Sequence, residues 1–264
     1  MKTVTELPIS KDALSRFFKE AGSRLVAAER ATEVGSEKLK NFFSGAKARI
    51  ELWEEQDQKE ASGFNVFDLI QPDENRLSDV LTLLLNPKGP HGQGDLFLRL
   101  LLEMLGTGFA SKHTKRATVH RESLTRRIDN DRRRMDVLVD VSDLVLGIEN
   151  KVDAGEQPGQ VKDYLEHLRR WGKARSGRSL LIYLTPGRRT PESLSAEELR
   201  VEMANNRLFC WSYGQDVRVW LEACHSQCAA PRFKDFLNDF MHYVDRSLTR
   251  ECVVEQEQIT NNED

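Results

Sequence analysis

Two short β-rich runs, Met135 to Val141 and Leu144 to Ile148, stand in a chain whose apolar residues otherwise recur mostly at helical spacing. Only Ser142 and Asp143 separate them, so the chain must reverse there and pair the two runs as an antiparallel hairpin. A lone hairpin is not stable in water; it needs further strands or a packed helix. Ser179 to Leu184 is a continuous apolar run ended by Thr185-Pro186-Gly187, and Leu208 to Tyr213 has the composition of another strand. The element order reads helices, hairpin, helix, strand, strand, helices. That order predicts an α/β fold with a central mixed sheet of about four or five strands, covered by helices on both faces.

Residues 11 to 62 read as helical. Ser10 is a candidate cap for a first helix carrying Leu14, Phe17, Phe18 and Leu25. Ser36 is a candidate cap for a second with Leu39, Phe42, Phe43, Ile50 and Trp53, and Gly35 and Gly63 punctuate the ends. This added N-terminal region suits packing or dimerisation. Asp73 then caps a helix from about Glu74 to Leu85 with a stripe of Leu77, Val80, Leu81, Leu84 and Leu85. Asn86-Pro87 stops it before a Gly-rich loop containing His91, and another apolar helix spans about Asp95 to Leu105. Pro158 and Gly159 open a helix with Gln160, Tyr164, Leu165 and Leu168; the last helices run from about Asp216 to Cys224 and Arg232 to Leu248. The expected organisation is a helical region 1–62, a main domain 63–250 and an acidic, disordered tail 251–264.

Charged residues make up 31% of the 264 positions and no apolar run is long and uninterrupted enough to cross a bilayer. Met1 to Ser10 has no signal-peptide core, so a cytoplasmic location and reduced thiols are expected. Cys224 and Cys228 with His225 lack the second pair that structural zinc requires, and on a helix they share a buried face. The net charge of −3 gives no global argument for nucleic-acid binding. Its distribution does: Lys112 to Arg134 carries nine Lys and Arg residues against Glu122, Asp129 and Asp131, and a second basic group follows at Arg169, Arg170, Lys173, Arg175 and Arg178. A solvated loop is the plain reading of such runs.

With Ser142-Asp143 as the hairpin loop, Val141 faces Leu144, and counting outward brings Asp136 opposite Glu149. Directly opposed β-carbons lie about 4.5–5.5 Å apart. Lys151, two residues past Glu149, shares its face. Two carboxylates and one amine thus gather at one point of a sheet. Two hard carboxylates without a soft ligand suit Mg²⁺ or Mn²⁺, whose other ligands are waters and phosphate oxygens, and a lysine beside them offsets charge on a phosphoryl transition state. The competing reading is ordinary ion pairing of Asp136 and Glu149 with Arg134 and Lys151 on an exposed hairpin.

Asp136 followed by Gly147-Ile148-Glu149-Asn150-Lys151 resembles the signature of the PD-(D/E)XK nuclease superfamily, with a closer likeness to a bacterial branch that has an Ile-Glu-Asn-Lys core. Further matches to that branch are Phe64-Asn65-Val66-Phe67, Glu74-Asn75-Arg76-Leu77-Ser78, Leu84-Leu85-Asn86-Pro87, His91-Gly92, Glu156, Gln160, Tyr164 and Tyr183-Leu184-Thr185-Pro186. One departure is Met135 in place of proline before Asp136. The likeness covers roughly residues 64 to 245. It implies a restriction-endonuclease-like core that hydrolyses nucleic-acid phosphodiester bonds, with DNA the expected substrate, through a water on Mg²⁺ (or Mn²⁺).

The same resemblance implies roles for individual residues. Asp136 and Glu149 bind the metal, joined by the Ile148 carbonyl or the Asn150 backbone. Lys151 orients the attacking water. Glu74 reaches the same ion through water or holds a second one. Gln160 and Tyr164, one helical turn apart, contact the phosphate backbone or support Lys151. Arg134 and the basic run before Asp136 supply backbone contacts, and His91 either lines the site or fixes its loop. No DNA-reading motif is visible in the sequence, so specificity is expected from a partner protein or a DNA structure, with a homodimer a further expectation. The branch points to a bacterial defence or mobile-element setting. The rival readings are a non-cleaving nucleic-acid-binding module and a protein-interaction module on the same fold.

Overall fold

The computed structural model describes residues 15–22, 33–61, 63–106, 113–124, 134–174 and 177–249. Ser10, Leu14, Leu25, most of the arginines before Arg134, Arg175, Cys252 and the acidic tail lie outside the described residues. Two compact units divide between Phe64 and Asn65.

In the first unit residues 15–22 are helical, and a helix α1 (Glu33–Glu60) follows. Gly35 and Ser36 lie inside α1 rather than at its start; an interior glycine costs only about 1 kcal/mol against alanine, a small term for a helix of 28 residues. Phe18 packs edge-on against Phe43 at 6.1 Å between ring centroids. Leu39, Phe42, Leu52 and Trp53 are exposed.

The second unit is built on a five-stranded sheet in the order β1-β2-β3-β4-β5: β1 (Thr118–Leu124), β2 (Arg134–Val141), β3 (Leu144–Asn150), β4 (Arg178–Thr185) and β5 (Leu208–Ser212). The first three pair antiparallel, and β3, β4 and β5 pair parallel. Parallel neighbours need crossover connections. Here α5 (Gln160–Ala174) links β3 to β4 and α6 (Ala196–Ala204) links β4 to β5. All seven residues of β3 are buried, as a strand covered on both faces requires. One face packs under α5, with Leu199 of α6 at the margin. The other carries the larger core formed with α2 (Val66–Ile70), α3 (Glu74–Leu85), α4 (Leu96–Met104), α7 (Arg218–Gln227) and α8 (Pro231–Ser247). No helix among the described residues is long and apolar enough to cross a membrane.

Four features of the second unit also depart from the sequence expectation. Thr118–Leu124 is a strand inside what reads as a solvated basic stretch; it lies at the sheet edge, where one side is unpaired and polar residues are tolerated. Helix α6 has no fully buried residue, so it lacks a periodic stripe, although Ser195 and Glu198 form a capping box at its start. Val66–Ile70 forms the short α2, with Asn65 as its cap. Finally, a π-helical turn, Tyr213–Val217, precedes α7, so that helix starts at Arg218 instead of Asp216.

Candidate active site

The hairpin register holds as counted from Val141↔Leu144 to Val137↔Ile148 and stops one pair short of Asp136 and Glu149. The β1–β2 ladder skips the same residue: Arg121 pairs Val137 and Ser123 pairs Met135, while Glu122 between them has a left-handed φ of 51°. Met135 and Leu138 both pack beneath α5, which breaks strict alternation across Asp136. Gly147 permits this, because a β-carbon there would overlap Met135 Sδ and lie 3.0 Å from Leu168 Cδ1. Released from both ladders, Asp136 turns its carboxylate to the end of β3, where Oδ2 accepts the Asn150 N–H at 2.8 Å.

Glu149 is 2% exposed. Its Oε1 accepts from Gln160 Nε2 at 2.6 Å and lies 3.2 Å from Lys151 Nζ. Gln160 also donates to the Tyr164 hydroxyl at 3.0 Å, and that hydroxyl donates to the Arg134 carbonyl at 2.5 Å. Both helix residues are buried, so in this arrangement they face Glu149 and not solvent. Glu149 Oε2 is the one buried side-chain oxygen or nitrogen among the described residues without a hydrogen-bond partner.

Glu74 enters from the first turn of α3, where Asp73 caps the Arg76 N–H. Its Oε2 accepts the Val152 N–H at 3.0 Å and its Oε1 lies 3.7 Å from Lys151 Nζ. Asn150, wholly buried, fixes that helix start: Nδ2 donates to the Glu74 carbonyl at 3.0 Å and to Ser78 Oγ at 3.1 Å, and Oδ1 accepts the Tyr213 hydroxyl at 2.9 Å. Ser78 sits one turn beyond Glu74, the spacing that brings both to one helix face.

Electrostatics follow from the crowding. Burial, with the charge of Asp136 added, pushes Glu149 up to about 8. Burial also holds Asp136 above the ordinary carboxylate value, against the Asn150 N–H and Arg121. For Lys151 burial works against the charge, but Glu149 and Glu74 outweigh it and keep the ammonium above its usual value. With every acid ionised, Asp136, Glu149 and Glu74 would outnumber Lys151 and Arg121, and Arg121 is shared with Asp79. An acid forced to retain a proton beside another acid marks a place where a cation is favoured. The unpartnered Glu149 oxygen and the Asp136 carboxylate are hard donors and fit Mg²⁺ or Mn²⁺. Among the described residues no three His, Cys, Asp or Glu side chains are gathered as a ligand set. Mg²⁺ needs only one or two carboxylates, with water and phosphate completing its shell.

Other sequence candidates lie elsewhere. Arg134 is exposed on β2 and pairs with Glu122 at 3.2 Å; its carbonyl, not its guanidinium, touches the cluster. His91 sits past the far end of α3, about 18 Å from Glu74 along the 12 residues of that helix. There Nε2 meets the Asn86 carbonyl at 2.8 Å, Nδ1 accepts the Gln93 N–H at 3.0 Å, and Phe97 and Phe233 flank the ring. Burial lowers its pKa, in keeping with a neutral ring that fixes its loop. Glu156 accepts the Glu192 N–H at 2.6 Å and ties down the loop after β4. Asn65 and Phe67 anchor α2 on α8, through the Asp239 carbonyl and contacts with Phe236, Phe240 and Tyr243. Arg169, Lys173 and Arg178 line a pocket of about 410 Å³ with Arg207, at the opposite end of the sheet. Ser78 and Tyr213 complete the cluster without having been assigned roles from sequence, and Arg121, expected with its basic run to contact the nucleic-acid backbone, is drawn into it as well. Ser78 lies inside the Glu-x-x-x-Ser spacing, whereas nothing in the local sequence marks Tyr213.

No curated protein and no solved structure gives a match to the chain. A family model described as the PD-(D/E)XK nuclease superfamily matches residues 64–254, which contain every residue of the cluster. With its mixed five-stranded sheet flanked by helices and a match over most of its length, the chain belongs to the PD-(D/E)XK nuclease superfamily.

Proposed function

We propose that the chain is a Mg²⁺-dependent nuclease, with Mn²⁺ as a substitute, and that it hydrolyses phosphodiester bonds of DNA. The observation that carries this reading is the buried, unpartnered Oε2 of Glu149 next to Asp136 and Lys151. Nucleases of this superfamily generally use divalent metals. Such a cation polarises the phosphate and raises the acidity of a water near it. Glu149 and Asp136 are the residues that hold it. Gln160 and Lys151 occupy Glu149 Oε1 and so reserve Oε2. Lys151, kept as an ammonium by Glu149 and Glu74, donates to phosphate oxygens as charge builds on them. Glu74 restrains Lys151 through their 3.7 Å pair and is itself held by the Val152 N–H.

DNA is the substrate on which most of the superfamily acts, and the basic residues before Asp136 suit contacts to its backbone. The bacterial defence or mobile-element setting rests on the likeness of the Ile148-Glu149-Asn150-Lys151 core alone. The test is cleavage of linear, circular and single-stranded DNA, and of RNA, in Mg²⁺, Mn²⁺ or EDTA. Cleavage of DNA with either metal and none in EDTA is expected, with losses of at least about 100-fold for Asp136→Ala, Glu149→Ala and Lys151→Ala. Metal-independent binding without cleavage would favour a non-cleaving module. Activity that survives both Asp136→Ala and Lys151→Ala would refute the site.

A further inference from the structure

Arg121 belongs to the basic run whose expected partner is phosphate, yet its donors are already in use. Nε donates to Asp79 Oδ1 at 2.9 Å, Nη2 to the Asn75 carbonyl at 3.1 Å and Asn75 Oδ1 at 3.0 Å, and Nη1 to the Asp136 carbonyl at 3.2 Å. Four of a guanidinium's five N–H groups are accounted for. The fifth lies on Nη1, which is 3.8 Å from Asp136 Oδ1 and 3.9 Å from Glu122 Oε1. The side chain is only 19% exposed. Asn75 and Asp79 lie on α3, one residue after Glu74 and one turn further on; Asp136 lies on β2.

We propose that Arg121 is a positioning residue that staples the helix bearing Glu74 to the strand bearing Asp136, and that it does not contact nucleic acid. The consequence for catalysis rests on the nuclease reading above; the staple does not. Arginine suits the task because its planar fork spans two elements at fixed angles, whereas lysine offers one point charge with three rotating donors. Without the staple, the Asp136 strand segment, already outside both ladders, keeps only the link to α3 that runs through Asn150. A misplacement of about 1 Å in such a site costs up to about 100-fold in rate.

The experiment compares Arg121→Ala, Arg121→Lys and Asp79→Ala with the parent chain. In the metal-free protein, amide exchange should quicken at Asn150, whose N–H is held by Asp136, and in the first turn of α3. With a labelled linear duplex and Mg²⁺, kcat should fall about 10–100-fold in Arg121→Ala, and Arg121→Lys should not restore it. Duplex affinity measured in EDTA, and its salt slope, should stay within about two-fold of the parent. Asp79→Ala should shift exchange and kcat the same way, and Arg121→Ala/Asp79→Ala should be no worse than Arg121→Ala alone. Unchanged exchange in Arg121→Ala overturns the proposal. So does weaker duplex binding with a salt slope smaller by about one, or tighter binding in Asp79→Ala, either of which marks a phosphate contact. Asp136→Ala serves as the control: if it cleaves normally the assignment of the active site fails. If the parent chain cleaves nothing the nuclease reading fails, while the exchange result still judges the staple.

Discussion

Glu149 lies where its own ionised form is disfavoured. Burial and Asp136 push it up to about 8, although Lys151 Nζ is 3.2 Å away. An unfolded glutamate titrates near 4.5, so between about pH 4.5 and 8 the folded, metal-free chain holds a proton that the unfolded chain releases. The contribution to stability is therefore full below pH 4.5 and lost as pH rises through 8. In EDTA, Glu149→Gln should melt on the order of 5 °C above the parent at pH 8.5, with the gap closing toward pH 5. A gap that does not depend on pH would show that Glu149 titrates normally. Gln160, 5% exposed and bonded to Glu149 Oε1, belongs to the same unit. Gln160→Ala should lower kcat about 10-fold or more and leave KM for DNA near the parent value, since it loosens a carboxylate rather than a substrate contact. A raised KM with kcat intact would make Gln160 a phosphate ligand instead.

Among the elements, the β2–β3 hairpin carries most of the site and also the irregularity that makes it. Its turn and five of its ladder pairs follow from the spacing of Ser142-Asp143 and the flanking apolar runs. The last step, at Asp136, does not, because it depends on Glu122 opposite and on Met135 crossing to the α5 face over Gly147. Gly147→Val should therefore destabilise by about 1–3 kcal/mol or more, through overlap with Met135 and Leu168, as a fall in the denaturant midpoint would record. Helix α3 depends in turn on Asn150. Asn150→Ala leaves the buried Tyr213 hydroxyl without its acceptor, at about 1–3 kcal/mol, while the Glu74 carbonyl keeps its bond from Ser78 Oγ. Chemical denaturation should show that loss even in EDTA, before any effect on cleavage is considered.

For the whole molecule, the described core clusters of the second unit draw only on residues from Val66 to Leu248. A chain lacking residues 1–62 should then fold, melt within a few degrees of the parent and still cleave DNA. Folding without cleavage would show that the first unit takes part in the reaction. The second basic group has a separate place. Arg178 lies opposite Leu144 and Tyr183 opposite Glu149, so the pocket lined by Lys173 and Arg178 is about 17 Å from the acids along the strands.

Residue order was enough to show the hairpin, the α3 stripe, the capping of Glu74's helix and the pairing of Glu149 with Lys151 on one face. Each of these is a local rule of period, turn or cap acting over a few neighbours. Edge strand β1 escaped because its polar residues resemble a loop until the sheet beside it is known. The roles of Arg121, Asn150 and Tyr213 escaped because their partners lie 46, 76 and 63 residues away in sequence. Gln160 and Tyr164 were legible as a pair, but burial turned them toward Glu149. A carboxylate's partners and its exposure to water are set by elements that meet only when the sheet and its helices close around it.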